Sequence, residues 1–134
     1  MIIQQVPVEW ANRVWGAVAG FIEDALVHAC GDYSIAHVQA FVTSGQWVLL
    51  VATEDGEIKG AATVCLYNRP TDRVALITTT GGRLVVDAGT FAQLKRLMAA
   101  LGATTIEAAV RGSMARMLHR FGFSEKYTVT GVRL

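Results

Sequence analysis

Apolar side chains recur along this chain at spacings that switch between those of a helix and those of a strand. Trp10, Val14, Ala17, Val18, Phe21, Ala25 and Ala29 return at helical intervals. Pro7 suits the first turn of that helix, Glu9 suits its positive end, and Gly31 stops it. A second helix is expected behind Ser34 as N-cap, with Ile35, Val38, Ala40 or Phe41, and Val42 turned inward and Gly45 as its end. The period then changes to that of strands. "WVLLVATEDGEIKGAATVCLYN" is two β-rich runs joined by Asp55-Gly56, the pair a tight hairpin favours, and a further β-branched run follows. Residues 47–80 therefore predict a three-stranded antiparallel meander. After Gly81-Gly82, Phe91, Leu94, Leu97, Met98 and Leu101 form a third helical stripe closed by Gly102. "TTIEAAV" predicts a strand, "GSMARMLHRFGF" a fourth helix from near Ser113 to Gly122, and "EKYTVTGVRL" a last strand. The expected order is α-α-β-β-β-α-β-α-β: one α+β domain over residues 1–134, its mixed, mostly antiparallel sheet flanked by helices. The strand at 104–110 should run parallel to the one ending near Thr80, through the helix of residues 90–101.

Composition supports a single sizeable core. Of 134 residues, 52% are apolar and 17% charged, drier than an average soluble domain, which leaves apolar surface for a protein partner. The formal net charge of +1 gives no broad footprint for nucleic acid or an anionic membrane. Cys30 and Cys65 lie in apolar runs and read as buried free thiols of a reducing compartment. No run reaches membrane-helix length, and "MIIQQVPVEW" lacks the basic start of a secretion signal, so a cytoplasmic protein is expected.

Few residues offer chemistry. His119 has a side chain suited to proton transfer, set against the alternative of a helix-end histidine favoured by the dipole. Glu107, inside a strand, is the best-constrained carboxylate; it reads either as a general base or as the partner of Arg111 or Arg133. Asp24 and Asp72 are weaker candidates. His28 and His37 have no metal-binding spacing, so no metal site is expected. Arg116 and Arg120 share a helix face that is either solvated or suited to a phosphate-bearing ligand. Trp15 falls off the first stripe and reads as an exposed protein contact or as packing from the opposite side.

The element order, with Leu118, His119, Gly122 and Phe123 set as in the Leu-Tyr-x-x-x-Gly-Phe end of a last helix, resembles the GNAT N-acetyltransferase superfamily over nearly the whole chain. The resemblance implies acetyl-CoA as cofactor of an active member, its diphosphate lying on backbone N–H groups where the third helix begins. The matching loop is Arg83-Leu84-Val85-Val86-Asp87-Ala88, with Arg83, Val85, Val86, Ala88 and Gly89 as vestigial cofactor-binding positions. Val86 replaces a family glycine, Asp87 adds negative charge, and His119 replaces the tyrosine that protonates the leaving thiolate. Leu84, Val85 and Val86 are expected to turn at least partly into protein and fill the space where the diphosphate would otherwise lie. Pro7, "YSIA" from Tyr33, Gly45, Trp47 and Gly81-Gly82 resemble small GNAT-like proteins of tailed bacteriophages, including the internal virion protein type of T7-like phages. That likeness implies a degenerate scaffold with no cofactor, acting as a structural or interaction component of a virion or its assembly, in the host cytoplasm or packaged, with a phage protein partner and a possible homo-oligomer. The competing expectation is a working acetyl-CoA-dependent N-acetyltransferase with an atypical loop, using His119 and Glu107.

Overall fold

The computed structural model describes residues 1–28 and 31–134; Ala29, the end of the expected first stripe, and Cys30 lie outside the described residues. Five strands, β1 (Ile2–Val6), β2 (Trp47–Glu54), β3 (Glu57–Asn68), β4 (Arg73–Gly82) and β5 (Thr105–Ala108), lie side by side in chain order. The first four are antiparallel and β5 joins β4 in parallel. Four helices, α1 (Ala11–Leu26), α2 (Ile35–Thr43), α3 (Ala88–Ala100) and α4 (Gly112–His119), flank this mixed sheet, an α+β architecture.

The meander and the parallel crossover form as the sequence predicts. Asp55 (φ 53°) and Gly56 (φ 78°) both take the left-handed conformation that a two-residue hairpin turn needs. β2 alternates between two cores. Leu49 and Val51 face α1 and α2, while Leu50 and Ala52 face α3 with its Phe91, Leu94 and Met98. Ser34 caps α2: its Oγ accepts from the His37 N–H at 3.2 Å, and the His37 ring nitrogen accepts from the Ser34 N–H at 3.1 Å.

Two ends of the chain differ from expectation. Ile2–Val6 is a strand, though only Ile3 and Val6 of it are buried, so its sequence shows no alternation to announce it. Residues 124–134 form no strand and are exposed, despite their β-branched content. A strand needs an edge to pair with, and this segment starts across the sheet edge rather than along it, drawn by Glu107 and Arg69. The buried face of α1 is also turned from the expected one. A 3₁₀ turn at Val8–Trp10 precedes the helix and sets Ala11, Trp15, Val18 and Ile22 inward. Trp15 is thus 8% exposed and part of the core, while Trp10 stands 49% exposed.

Candidate functional site

β4 and β5 pair over only four residues each, from Val74 opposite Thr105 to Ile77 opposite Ala108. β4 then continues to Gly82, whereas the chain after Ala108 turns away through exposed Ala109 and Val110 into α4. The carboxyl ends of two parallel strands therefore diverge, with the starts of α3 and α4 beyond them. That crevice is where open α/β sheets take ligands. A β-bulge sits at the point of divergence: Thr63 pairs with Thr79 and Val64 with Ile77, leaving Thr78 as the extra residue. Its hydroxyl donates to the Thr63 carbonyl at 3.0 Å, and the Thr63 hydroxyl lies 2.6 Å from that of Thr79.

The far end of β4 is closed by the protein itself. A Cβ at Gly81 would run into the Phe21 carbonyl oxygen, and one at Gly82 would lie 2.5 Å from that of Lys59 and 2.7 Å from the Phe21 ring. Both glycines are thus required by the close crossing of α1 and β3 over this strand, before any ligand is considered.

The start of α3 is occupied in the same sense. Asp87 is its N-cap, and its carboxylate accepts from the Thr90 N–H at 2.8 Å. The Thr90 hydroxyl accepts in turn from the N–H groups of Val86 at 3.0 Å and Asp87 at 3.2 Å. The Thr90 N–H and hydroxyl, with the Gly89 N–H, hold the Asp87 carboxyl below its ordinary range. Arg83 donates its N–H to the Lys59 carbonyl, and its guanidinium lies 3.6 Å from Glu54. Leu84 is buried in the α3-side core and Val85 packs against it, as expected. Val86 is 41% exposed, its N–H donating to the Thr90 hydroxyl at the cap. Ala88 and Gly89 are exposed in the first turn.

Glu107 and His119 are not brought together by any hydrogen bond or ion pair among the described residues. Glu107 forms a two-pronged pair with Arg69, through its Nη1 and, at 2.9 Å, its Nη2, and accepts from Lys126 Nζ at 2.9 Å. Tyr67 and Tyr127 place their hydroxyls on the same guanidinium, at 2.8 and 3.3 Å. The bonds from Arg69, then those from Lys126, outweigh partial burial and hold the Glu107 carboxyl down to about 2. A base this weak accepts protons poorly near neutral pH. Its partners are neither Arg111 nor Arg133: Arg111 lies 3.3 Å from His28, and Arg133 is in the exposed end segment. His119 is exposed at the end of α4, Arg116 folds back to within 3.8 Å of where a Gly112 side chain would begin, and Arg120 lies over Phe121. Asp72 holds the hydroxyl of Thr104 at 2.9 Å, and Asp24 is exposed. Among the described residues no group of three or more His, Cys, Asp or Glu side chains is placed to hold a metal ion, and no helix is long and apolar enough to cross a membrane.

Sequence reasoning misses Arg69, Thr90, Lys126 and Tyr127. Arg69 stands 38 residues from Glu107, a distance that no local pattern bridges. Thr90 is within reach, because Asp87-x-x-Thr90 has the spacing of a capping box.

Solved structures supply the fold's relatives. The ribosomal-protein-alanine N-acetyltransferase of Brucella melitensis biovar Abortus superposes with a TM-score of 0.70 at 9% identity, covering 100% of both chains. An aminoglycoside acetyltransferase from an uncultured soil metagenomic sample gives 0.70 at 15%, covering 99% of this chain and 97% of its own. A predicted acetyltransferase from Clostridium acetobutylicum, solved with acetyl-CoA, gives 0.65 at 11%, covering 98% and 95%. This chain has the GNAT fold. No family model and no curated protein matches its sequence.

In the GNAT frame, the start of α3 is where a diphosphate would rest on backbone N–H groups. Here a carboxylate of the chain already takes that of Thr90, and the Thr90 hydroxyl takes those of Val86 and Asp87. The residues present do not fit the diphosphate of coenzyme A.

Proposed function

We propose that this GNAT-fold, acetyltransferase-like chain has given up cofactor chemistry and works by binding other protein. The observation that carries this reading is the Asp87 carboxylate seated on the N–H groups at the start of α3, a negative charge where the fold's ligand would bring its own. Two further features support it. Glu107 is committed to Arg69 and Lys126, and α4 offers His119, without a hydrogen-bond partner among the described residues, in place of a tyrosine. Exposed Val8 and Trp10 offer an aromatic anchor for a partner. On the sequence resemblance, that partner is a structural or assembly protein of a bacteriophage.

The second reading, an acetyl-CoA-dependent N-acetyltransferase, is favoured by the divergence of β4 and β5, which leaves the crevice of the fold in place. Incubation with acetyl-CoA and a panel of primary amines (an aminoglycoside, a polyamine and peptides with free N-termini) separates the two. Thiol release at the uncatalysed rate is expected throughout. Saturable release with any of the amines would overturn the proposal.

A further inference from the structure

The edge of the sheet opposite the crevice is β1. It is closed to a further strand where it begins: the Gln93 carboxamide of α3 accepts from the Ile3 N–H at 2.8 Å and donates to the Met1 carbonyl at 3.0 Å, as a neighbouring strand would. On the other face of β1 an apolar pocket of about 250 Å³ stays open between the strands and the start of α1, walled by Val6, Pro7, Val14, Val51 and Ile58. That is below the roughly 300 to 1,000 Å³ of small-molecule sites, so it suits one large side chain rather than a cofactor.

Trp10 stands at this pocket and is 49% exposed, whereas Trp15 and Trp47 are buried. The Arg13 guanidinium lies over its ring, 4.6 Å from the centroid. Stacking on an indole fixes the plane of a guanidinium and leaves its fork of N–H donors free at the edge, a geometry that matches a carboxylate. Arg13 is exposed and enters none of the ion pairs among the described residues. The bases at the hairpin end of the pocket are taken, Lys59 by Glu57 and Arg83 by Glu54, which leaves Arg13 to receive an acid from outside. Glu9 and Asp55, also exposed, disfavour a segment carrying many acids. One carboxylate beside an apolar side chain is the match.

Resting on the protein-binding reading above, we propose that the pocket takes an apolar side chain of a partner protein while a neighbouring Asp or Glu of that partner binds the Arg13 guanidinium stacked on Trp10. Because Gln93 closes the start of the β1 edge, the segment is read through its side chains and is not added to the sheet. Trp10 and Arg13 are of the residue types that carry most of the energy of such contacts.

Selection of the full chain against a library of short random peptides tests this, followed by titration of the enriched peptides. They are expected to share Leu, Ile or Phe beside Asp or Glu, and to move the indole resonance of Trp10 before those of Trp15 and Trp47. Arg13→Ala, an exposed change on α1, should weaken them about tenfold or more, and Arg13→Glu should turn the selection toward Lys or Arg at the acidic position. No enriched sequence, enrichment without the acidic position, or binding indifferent to Arg13→Ala overturns the inference. If acetyl-CoA thiol release meanwhile stays at the uncatalysed rate, such a failure removes this site and leaves the protein-binding reading standing. Saturable release overturns that reading and the inference resting on it.

Discussion

At the scale of single residues, two carboxylates carry the proposed reading. Asp87 is an N-cap whose carboxylate accepts from the Thr90 N–H, and on the proposed reading it stands where an anionic ligand would. Asp87→Asn keeps an oxygen acceptor for the cap and removes the charge, so affinity for coenzyme A, measured by calorimetry, should rise about tenfold with little change in thermal stability. Glu107 is the other. Its carboxyl, ordinarily near 4.5, is held down to about 2, so the Arg69–Glu107–Lys126 cluster contributes stability that is complete above about pH 4.5 and is lost as the pH falls toward 2. Glu107→Gln should cost about 1 to 3 kcal/mol near neutral pH, the range for hydrogen bonds to a charged group. It should also flatten the acid limb of stability, followed by denaturant unfolding between about pH 5 and 2.5. A catalytic base would instead leave stability nearly unchanged on that substitution.

At the scale of elements, α1 crosses β4 closely at Gly81. Gly81→Ala sets a methyl against the Phe21 carbonyl and must push the helix outward, at an expected cost of about 1 to 3 kcal/mol. Gly20→Ala, on the exposed side of α1 with nothing within 4 Å, should instead stabilise by about 0.5 to 1 kcal/mol. Urea unfolding of the two variants reads both effects, and a neutral Gly81→Ala would mean that the crossing is looser than described. The elements legible in the sequence are those whose signal is local. Asp55-Gly56 announces its hairpin, Ser34 its cap, and the apolar run of β2 its two buried faces. What stays hidden depends on partners distant in sequence. Ile2–Val6 becomes a strand only because β2 offers an edge, and residues 124–134 fail to become one because Lys126 and Tyr127 are drawn to Glu107 and Arg69. The orientation of α1 escapes the apolar pattern because the turn at Val8–Trp10 rotates the helix and exchanges the roles of Trp10 and Trp15. Arg83-Leu84-Val85-Val86-Asp87-Ala88 is legible as an altered loop, but the bond from the Val86 N–H to Thr90 is one that hydrophobicity does not report.

At the scale of the whole molecule, the chain has a fold shared with acetyltransferases, and the proposal is that contacts within the chain have replaced those to a cofactor. Gly81-Gly82 meets α1 and β3, the start of α3 meets Asp87, and Glu107 meets Arg69. Much of the affinity for coenzyme A would come from charge-assisted bonds to phosphate, each worth roughly 1.5 to 3 kcal/mol. Losing two of them weakens binding by about 3 to 6 kcal/mol, or roughly two to four powers of ten. Calorimetric titration of the full chain with acetyl-CoA, alongside Val86→Gly/Asp87→Gly, is the direct test. No saturation of the unaltered protein is expected below about millimolar ligand, with a measurable gain in the double variant; low-micromolar binding by the unaltered protein would contradict the loss of cofactor chemistry.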